Sequence, residues 1–308
     1  MPSTLTHVAL QTPFFVGVFG RTAWPWALLG CALPDVGWIL QRAFKGFWRG
    51  EQEIFYDVRL AAVAWSSLLA TLVLSCAVAV WARRVGRALL LLGLGALIHL
   101  ALDASQLRWG NGVHFALPLH WEAWAPGFVP PDHGLSHALA LVGLGGLALR
   151  ARPSSWNEEL VVDGRRALTS LSLLALYLVL PLSLQGGLAA ADVHSIQTLR
   201  SAGRTGREVE LYRAHYFPAR DGESAHVLTL VSEPLEVAAG FELRERARVS
   251  LRARFVSERS IEVVEAHVHP NSRRSTLSIA GLAIVFGLLV RWVSGELARI
   301  RDSPVAGD

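Results

Sequence analysis

A histidine and an aspartate stand four residues apart near the end of a strongly apolar segment. His99 and Asp103 lie in LLLLGLGALIHLALDASQ, and their spacing places both side chains on one face of a helix. An imidazole and a carboxylate are costly inside a membrane unless they pair, bind an ion or line a wet cavity. The pair therefore predicts a polar site, and zinc-type coordination is the chemistry that these two ligand types support.

Two more residues of the same types stand at the ends of apolar segments. His7 lies near the start of the first segment, and Asp35 follows Pro34 at the end of the second, within ALPD. We expect both to meet the His99–Asp103 pair as metal ligands at one membrane face. Ordinary interpretations remain: His99 could hydrogen-bond Asp103 or a backbone carbonyl. Asp35 could cap the following turn, and His7 could be a terminal residue without a role.

The loop at 107–124, LRWGNGVHFALPLHWEAW, is both polar and aromatic. We predict catalytic roles for His114 and His120, as acid/base groups or further ligands, and a substrate-positioning role for Asn111. The alternative is an aromatic belt at headgroup depth, which is compatible with those roles. That belt would consist of Trp109, Trp121 and Trp124.

Two other histidine pairs have less distinctive spacing. His133 and His137 stand four apart at the start of a later apolar segment, and they would join the site if the loop folds over it; packing at a helix end is the alternative. His267 and His269 share one face of a predicted strand, where a second metal site or merely a polar strand end would result. Candidates to complete that second site are His215 and His226.

The composition indicates an integral membrane protein. Of 308 residues, 52% are hydrophobic and only 18% are charged, below the roughly 25% that is usual for soluble domains. The net charge of +4 comes almost entirely from arginine beside apolar segments, because Lys45 is the only lysine. Membrane topology explains this distribution, so it does not predict nucleic-acid binding. Cys31 and Cys76 lie in apolar surroundings, which favours buried thiols over a disulfide.

The predicted fold is an α-helical, multi-span membrane protein with an inserted small all-β domain, barrel-like and outside the membrane. Residues 1–188 form the helical domain with the metal site, 189–272 the β domain of about five strands, and 273–308 the last span and tail. Residues 5–41 form either a hairpin of two short helices or one tilted span. The other predicted spans are 60–82, 88–106, 134–149, 167–188 and 277–293.

Arginine placement gives an orientation through the positive-inside rule. The more basic side is predicted to be cytoplasmic, so the β domain and the 107–132 loop face outward. In a Gram-negative cell this is the periplasmic face of the inner membrane. The cytoplasmic set is Arg83, Arg84, Arg87, Arg150, Arg152, Arg165, Arg166, Arg299 and Arg301. The opposite set is Arg42, Lys45, Arg49, Arg59 and Arg108.

The order of these motifs resembles the bacterial membrane-bound metal-dependent hydrolase family, whose members are likened to zinc-dependent phospholipase C. An early Thr-His, then ALPD, then a span ending His-x-x-x-Asp and a Gly- and Trp-bearing loop carry the resemblance over about residues 1–125. It implies metal-ligand positions at His7, Asp35, His99 and Asp103.

Two positions depart from the family pattern. Gly37 stands where the family often has a second aspartate, and Trp65 stands where it often has a histidine before Ser66. These departures predict a mononuclear site, a weaker site or a chain without catalysis. Asp57 is a candidate to replace the missing ligand.

Two functions follow from these patterns. The first is a membrane-bound hydrolase with a divalent metal, zinc by preference, acting on a phosphoester or lipid-linked substrate in contact with membrane lipid. The second is a non-catalytic scaffold with a structural metal site and a β domain that binds a protein partner. Transport is a third, less favoured interpretation, because few charged residues interrupt the other predicted spans.

Overall fold

The computed structural model describes residues 4–106, 109–128, 138, 141–143, 145, 160–220, 223–270 and 274–302. His133, His137 and most of the predicted span at 134–149 lie outside the described residues.

The first two helices form a hairpin. Helix α1 (Thr4–Phe19) is followed by Gly20, whose φ of 81° turns the chain, and by helix α2 (Trp24–Ala32). A 3₁₀ turn at Leu33–Asp35 follows α2, and there Asp35 accepts a hydrogen bond from the Thr4 hydroxyl. Since the start of α1 meets the end of α2, the hairpin rather than a single tilted span describes residues 5–41.

The next segment is helical but bent. Helix α3 (Val36–Phe47) continues into the polar region, and α4 (Ile54–Trp65) meets α5 (Leu68–Ala79) at 66°. The predicted span at 60–82 therefore corresponds to a pair of helices that is broken between α4 and α5. Ser67 causes the break, because its hydroxyl donates to the Ala64 carbonyl and accepts from the Ala70 N–H, replacing helical backbone bonds.

The long helices lie close to their predicted positions. They are α6 (Val85–Ala104), α7 (Gly164–Ala190) and, after the short α8 (Ile196–Arg200) and the sheet, α9 (Arg274–Asp302). Among the described residues, four segments are long and apolar enough to cross a membrane, and the bent α4–α5 pair makes up to five. The four are Arg21–Phe47, Val85–Ala104, Gly164–Ala190 and Ser278–Gly295.

A separate five-stranded mixed sheet follows α8, as the alternating sequence predicts. Its strands are β1 (Glu208–Phe217), β2 (His226–Leu228), β3 (Pro234–Ala239), β4 (Ala247–Phe255) and β5 (Ser260–His269). The order β1-β2-β3-β5-β4 closes, since β4 also pairs with β1. All pairs are antiparallel except β3 with β5. Every strand buries one side against a shared core, which includes Tyr56 and Leu60 of α4.

Two glycines bring α2 and α6 into backbone contact. A Cβ on Gly95 would lie 3.0 Å from the Cα of Gly30, and a Cβ on Gly30 would lie 3.2 Å from the Cα of Gly95. Because Gly95 is one helical turn before His99, this contact sets how closely the His99 side chain approaches the end of α2.

We predict that Gly95→Ala destabilises the protein by about 1–3 kcal/mol, because the added methyl group forces α2 and α6 apart. The matched control is Gly93→Ala on the same helix, where a Cβ meets only the Leu72 side chain at 3.5 Å. Alanine's helix propensity should make that variant neutral or slightly more stable. Thermal unfolding in detergent measures both, and equal melting temperatures would contradict the packing argument.

Candidate metal centre

Three of the predicted ligands form a buried cluster. His7 Nε2 lies 3.2 Å from Asp103 Oδ1, and His99 Nε2 lies 3.8 Å from Asp103 Oδ2. The two imidazole rings stack with their centroids 3.7 Å apart. All three side chains are almost completely buried, and one ligand atom from each lies within 4.8 Å of the other two. This group could hold a metal ion.

Asp35 joins the cluster through His99. Its Oδ1 lies 3.7 Å from His99 Nε2, which is too long for a hydrogen bond, and both atoms are buried without a hydrogen-bond partner. Its other oxygen, Oδ2, accepts a hydrogen bond of 3.1 Å from Thr4 Oγ1. The structure thus brings together the four residues predicted as ligands, with Asp35 beside the three-residue group.

The spacing of these atoms suits a common ion. Ligand atoms at about 2.0–2.2 Å from a tetrahedral ion lie roughly 3.3–3.6 Å from one another. The distances of 3.2, 3.7 and 3.8 Å between the imidazole and carboxylate atoms bracket that range. Imidazole nitrogen and carboxylate oxygen are both zinc ligands, so the residues present fit a divalent ion in chemistry and in separation.

A backbone carbonyl orients His99. Its Nδ1 lies 2.7 Å from the carbonyl oxygen of Cys31 in α2, and since a carbonyl only accepts, Nδ1 carries the proton. Nε2 then has a free lone pair directed toward the carboxylates. This is the arrangement by which metal-binding histidines are commonly held.

His7 is oriented by a side-chain relay. The Cys31 thiol donates to Gln11 Oε1 at 3.3 Å, and Gln11 Nε2 donates to His7 Nδ1 at 3.4 Å. His7 Nε2 consequently carries the proton and donates it to Asp103 Oδ1. An ion bound at this nitrogen requires the proton to leave, and a half-turn of the Gln11 amide would then place Oε1 against a protonated Nδ1.

The two positions that depart from the family pattern lie against each other. A Cβ on Gly37 would be 2.8 Å from Trp65 Cβ and 2.7 Å from Ser66 Oγ, so no side chain fits there. The Trp65 indole instead donates to the carbonyl of Tyr177. Asp57 does not compensate, because its Oδ1 accepts from Arg200 at 2.8 Å. Packing at Gly37 and Trp65 therefore leaves no space for a further ligand side chain on this side of the cluster.

His114 approaches the cluster across a small cavity. It lines a space of about 20 Å³ together with Asp103, Ser66 and Asn111, which is enough for one water molecule. His114 Nδ1 lies 3.0 Å from the Trp121 carbonyl and therefore carries the proton, while Nε2 is buried without a partner. Burial lowers the pKa of His114 to about 4, so the imidazole is neutral at physiological pH.

His120 does not share this position. Its side chain is 62% exposed and lies 3.8 Å from the carboxylate of Glu122. The structure therefore brings His114, but not His120, to the cluster, and the catalytic roles predicted for both stay predictions.

Two residues near the cluster carried no recognisable sequence signal. Arg59 donates from Nε to His194 Nδ1 at 2.9 Å and from Nη2 to Asn111 Oδ1 at 3.1 Å, and its guanidinium stacks on the Trp38 ring. Burial and the Arg59 charge hold the pKa of His194 well below its usual value. Since 135 residues separate the two, no local sequence pattern indicates this contact.

The histidines of the β domain do not form a second centre. His269 uses both ring nitrogens, with Nε2 lying 2.8 Å from Ser250 Oγ and Nδ1 lying 3.3 Å from Arg213 Nη1. Within the part of the chain that the structure describes, the group of His7, His99 and Asp103 is the only potential metal-binding cluster of three or more. The polar strand end is therefore the better interpretation.

No protein-family model, curated protein or solved structure matches this chain. The resemblance to membrane-bound hydrolases thus rests on the motifs and on the convergence of their residues.

We predict that Thr4→Val weakens zinc binding about 10- to 100-fold, because the Asp35 carboxylate loses the hydroxyl that orients it. Thr4→Ser keeps the hydroxyl and should bind as the wild type does. Competition against a fluorescent zinc chelator measures both affinities. Equal affinities for Thr4→Val and Thr4→Ser would mean that Asp35 is not a ligand.

Proposed function

We propose that the protein is a membrane-bound metal-dependent hydrolase, with a divalent ion, zinc by preference, held by His7, Asp35, His99 and Asp103. The observation that carries this proposal is the pair of buried atoms, Asp35 Oδ1 and His99 Nε2, that face each other at 3.7 Å without a hydrogen bond. Buried polar atoms are rarely left without partners, and an ion between these two would satisfy both.

Charge balance supports the proposal. Asp35 and Asp103 bring two carboxylates into an apolar helical bundle, where isolated ionised groups are strongly disfavoured. A divalent cation with two neutral imidazoles neutralises both carboxylates together. Without an ion, protons would have to neutralise the two carboxylates, and the hydrogen bond from neutral His7 to Asp103 does not remove the carboxylate charge.

The chemistry of a bound ion would be to lower the pKa of a water molecule and polarise a phosphoryl oxygen. His114 would act as the general base, because its unprotonated Nε2 borders the water-sized cavity beside Asp103. A water molecule in that cavity would donate a proton to Nε2. Asn111 lines the same cavity and is held by Arg59, so its amide can orient that water molecule or a substrate oxygen.

The membrane setting favours a lipid or lipid-linked phosphoester as substrate. Four to five helical segments could span a bilayer, and the cluster lies where α1 begins and α6 nears its end. A site at that depth suits headgroup chemistry. Arginine placement supports insertion in a bacterial inner membrane with the β domain on the outer face.

A non-catalytic role is the second candidate, and one observation favours it. The cavity beside Asp103 holds only about 20 Å³, and packing of Gly37 against Trp65 closes a neighbouring side. A structural ion that ties α1, α2 and α6 together would need no larger space. The β domain would then bind a protein partner.

Metal content and hydrolysis together test the proposal. We expect about one zinc ion per chain in detergent-purified wild type, measured by elemental mass spectrometry, and loss of the ion in Asp103→Asn and His99→Ala. Hydrolysis of a chromogenic phosphodiester should depend on the ion and disappear in both variants. His114→Ala should keep the metal but lose at least tenfold in kcat, as expected for a lost general base.

His120→Ala is the matched control for these variants, and it should keep the metal. Thermal unfolding and size-exclusion profiles show whether each variant is folded. Wild type without metal, even after resupply of zinc, would overturn the hydrolase proposal. Bound metal without hydrolysis of any phosphoester would instead favour the structural ion.

The orientation is testable with single cysteines in a Cys76→Ser background. We expect Arg259→Cys, at the exposed turn between β4 and β5, to react with a membrane-impermeant maleimide in intact spheroplasts. Arg84→Cys, exposed between α5 and α6, should react only after lysis. The reverse pattern would place the β domain in the cytoplasm.

A further inference from the structure

A large basic cavity lies between the helices and the sheet, separate from the metal cluster. Its volume is about 630 Å³, within the range of roughly 300–1,000 Å³ that is typical of ligand sites. Helices α3 and α4 form one wall, and strand β1 with its neighbours forms another. The cationic side chains of its lining are Arg42, Lys45, Arg59, Arg213 and Arg248.

Four of these cations have no carboxylate partner among the described residues. Lys45 donates to the Leu230 carbonyl, and Arg248 donates to the carbonyl of Arg213. Arg59 donates to three neutral acceptors, which are His194, Gln41 and Asn111. No hydrogen bond of the Arg42 side chain is present in the described region. The positive charge of these four side chains is therefore not compensated by a carboxylate of the described residues.

Elsewhere in and around the sheet, several arginines pair with carboxylates. Arg204 contacts Glu233 at 2.7 Å, and Arg254 contacts Glu208 at 3.3 Å. Glu210 is the single carboxylate in the described lining of the cavity, and its oxygens already accept from Arg252 and from the Gly110 N–H. The cavity thus lacks a carboxylate that is free to pair with these four cations.

Arg59 is the best placed of the four to meet a ligand. Its guanidinium has five N–H donors, of which three make the bonds to His194, Gln41 and Asn111, so two remain. Stacking on the Trp38 ring holds the guanidinium plane, with the charge 4.6 Å from the ring centroid. A planar donor held in this way favours bidentate recognition of a phosphate.

Backbone strain is concentrated at the same cavity. His194 and Arg213, which both line it, have φ values of 57° and 52°, a region that residues other than glycine rarely adopt. Hydrogen bonds of nearby side chains hold this strain, such as Ser250 Oγ accepting from the Arg213 N–H. Strain of this kind clusters at ligand sites. Partial burial with the nearby charges of Arg248 and Lys45 also lowers the pKa of His215.

We propose that this cavity binds a phosphate-bearing anion, either a lipid headgroup or a soluble phosphate. Four uncompensated cations suit a multiply charged ligand with several acceptor oxygens, and phosphate provides both. The proposal goes beyond the hydrolase function and does not depend on the metal. The two sites are nevertheless adjacent, since Arg59 borders this cavity and bonds Asn111, which borders the cavity beside Asp103.

Calorimetry and native mass spectrometry test the proposal on the full-length protein in detergent. Inorganic pyrophosphate is titrated at low salt into metal-free protein. Because no metal is present, a lack of pyrophosphate binding would count against the basic cavity as a site and not against the hydrolase proposal. Retention of phosphatidic acid from mixed vesicles, against phosphatidylcholine, tests the lipid source. We expect at least one of these probes to bind once per chain, with about tenfold weaker binding in the double variant Arg42→Gln and Arg248→Gln.

Arg254→Gln is the matched control for the Arg248→Gln change, because it removes one charge from the same strand but from a side chain paired with Glu208. It should bind the probe as the wild type does. Binding of pyrophosphate supports a soluble phosphate ligand, and binding of phosphatidic acid alone supports a headgroup. Binding of neither probe, or equal weakening in Arg254→Gln and the double variant, would overturn the proposal.

Discussion

The structure depends on the burial of two carboxylates and two imidazoles inside an apolar helical bundle. His7, Asp35, His99 and Asp103 come from three separate elements, and each is almost fully removed from solvent. Such groups are tolerated only when their partners are held in place. The Cys31 carbonyl, Gln11 and Thr4 do so from the α1–α2 hairpin. The close approach of Gly30 and Gly95 brings α6 near enough for His99 to meet them.

The sequence predicted the part of this centre that local periodicity controls. A spacing of four on a helix suffices to place His99 and Asp103 together, and a hairpin in the first apolar segment suffices to return Asp35 toward the start of α1. Strand alternation likewise predicted the five-stranded sheet. The partners that orient the ligands were not predictable, because a backbone carbonyl such as that of Cys31 has no signature in sequence. The bend at Ser67 was missed, since serine is also tolerated within straight helices.

Long-range polar contacts account for the other features that could not be predicted from the sequence. The Arg59–His194 bond spans 135 residues, and the basic cavity exists only because the sheet folds back onto α3 and α4. In the sequence, Arg42, Lys45 and Arg59 enter only the assignment of membrane orientation. The structure gives them a different meaning, because Arg204, Arg252 and Arg254 have carboxylate partners nearby and these cations do not. Charge compensation, rather than charge count, distinguishes a solvated surface from a site.

Arg59 lies at the boundary between the two polar regions and belongs to both. On one side it holds Asn111, which lines the cavity beside Asp103, and on the other it faces the basic cavity with two N–H donors that the protein does not use. An anion bound by those two donors would draw the guanidinium toward itself, in competition with the bonds to Asn111 and His194 that hold its position. Since His194 also contacts the ring of His114, with centroids 6.1 Å apart, such competition would reach the imidazole next to the metal cluster. The stacking of Arg59 on Trp38 therefore determines how far a change at one site affects the other.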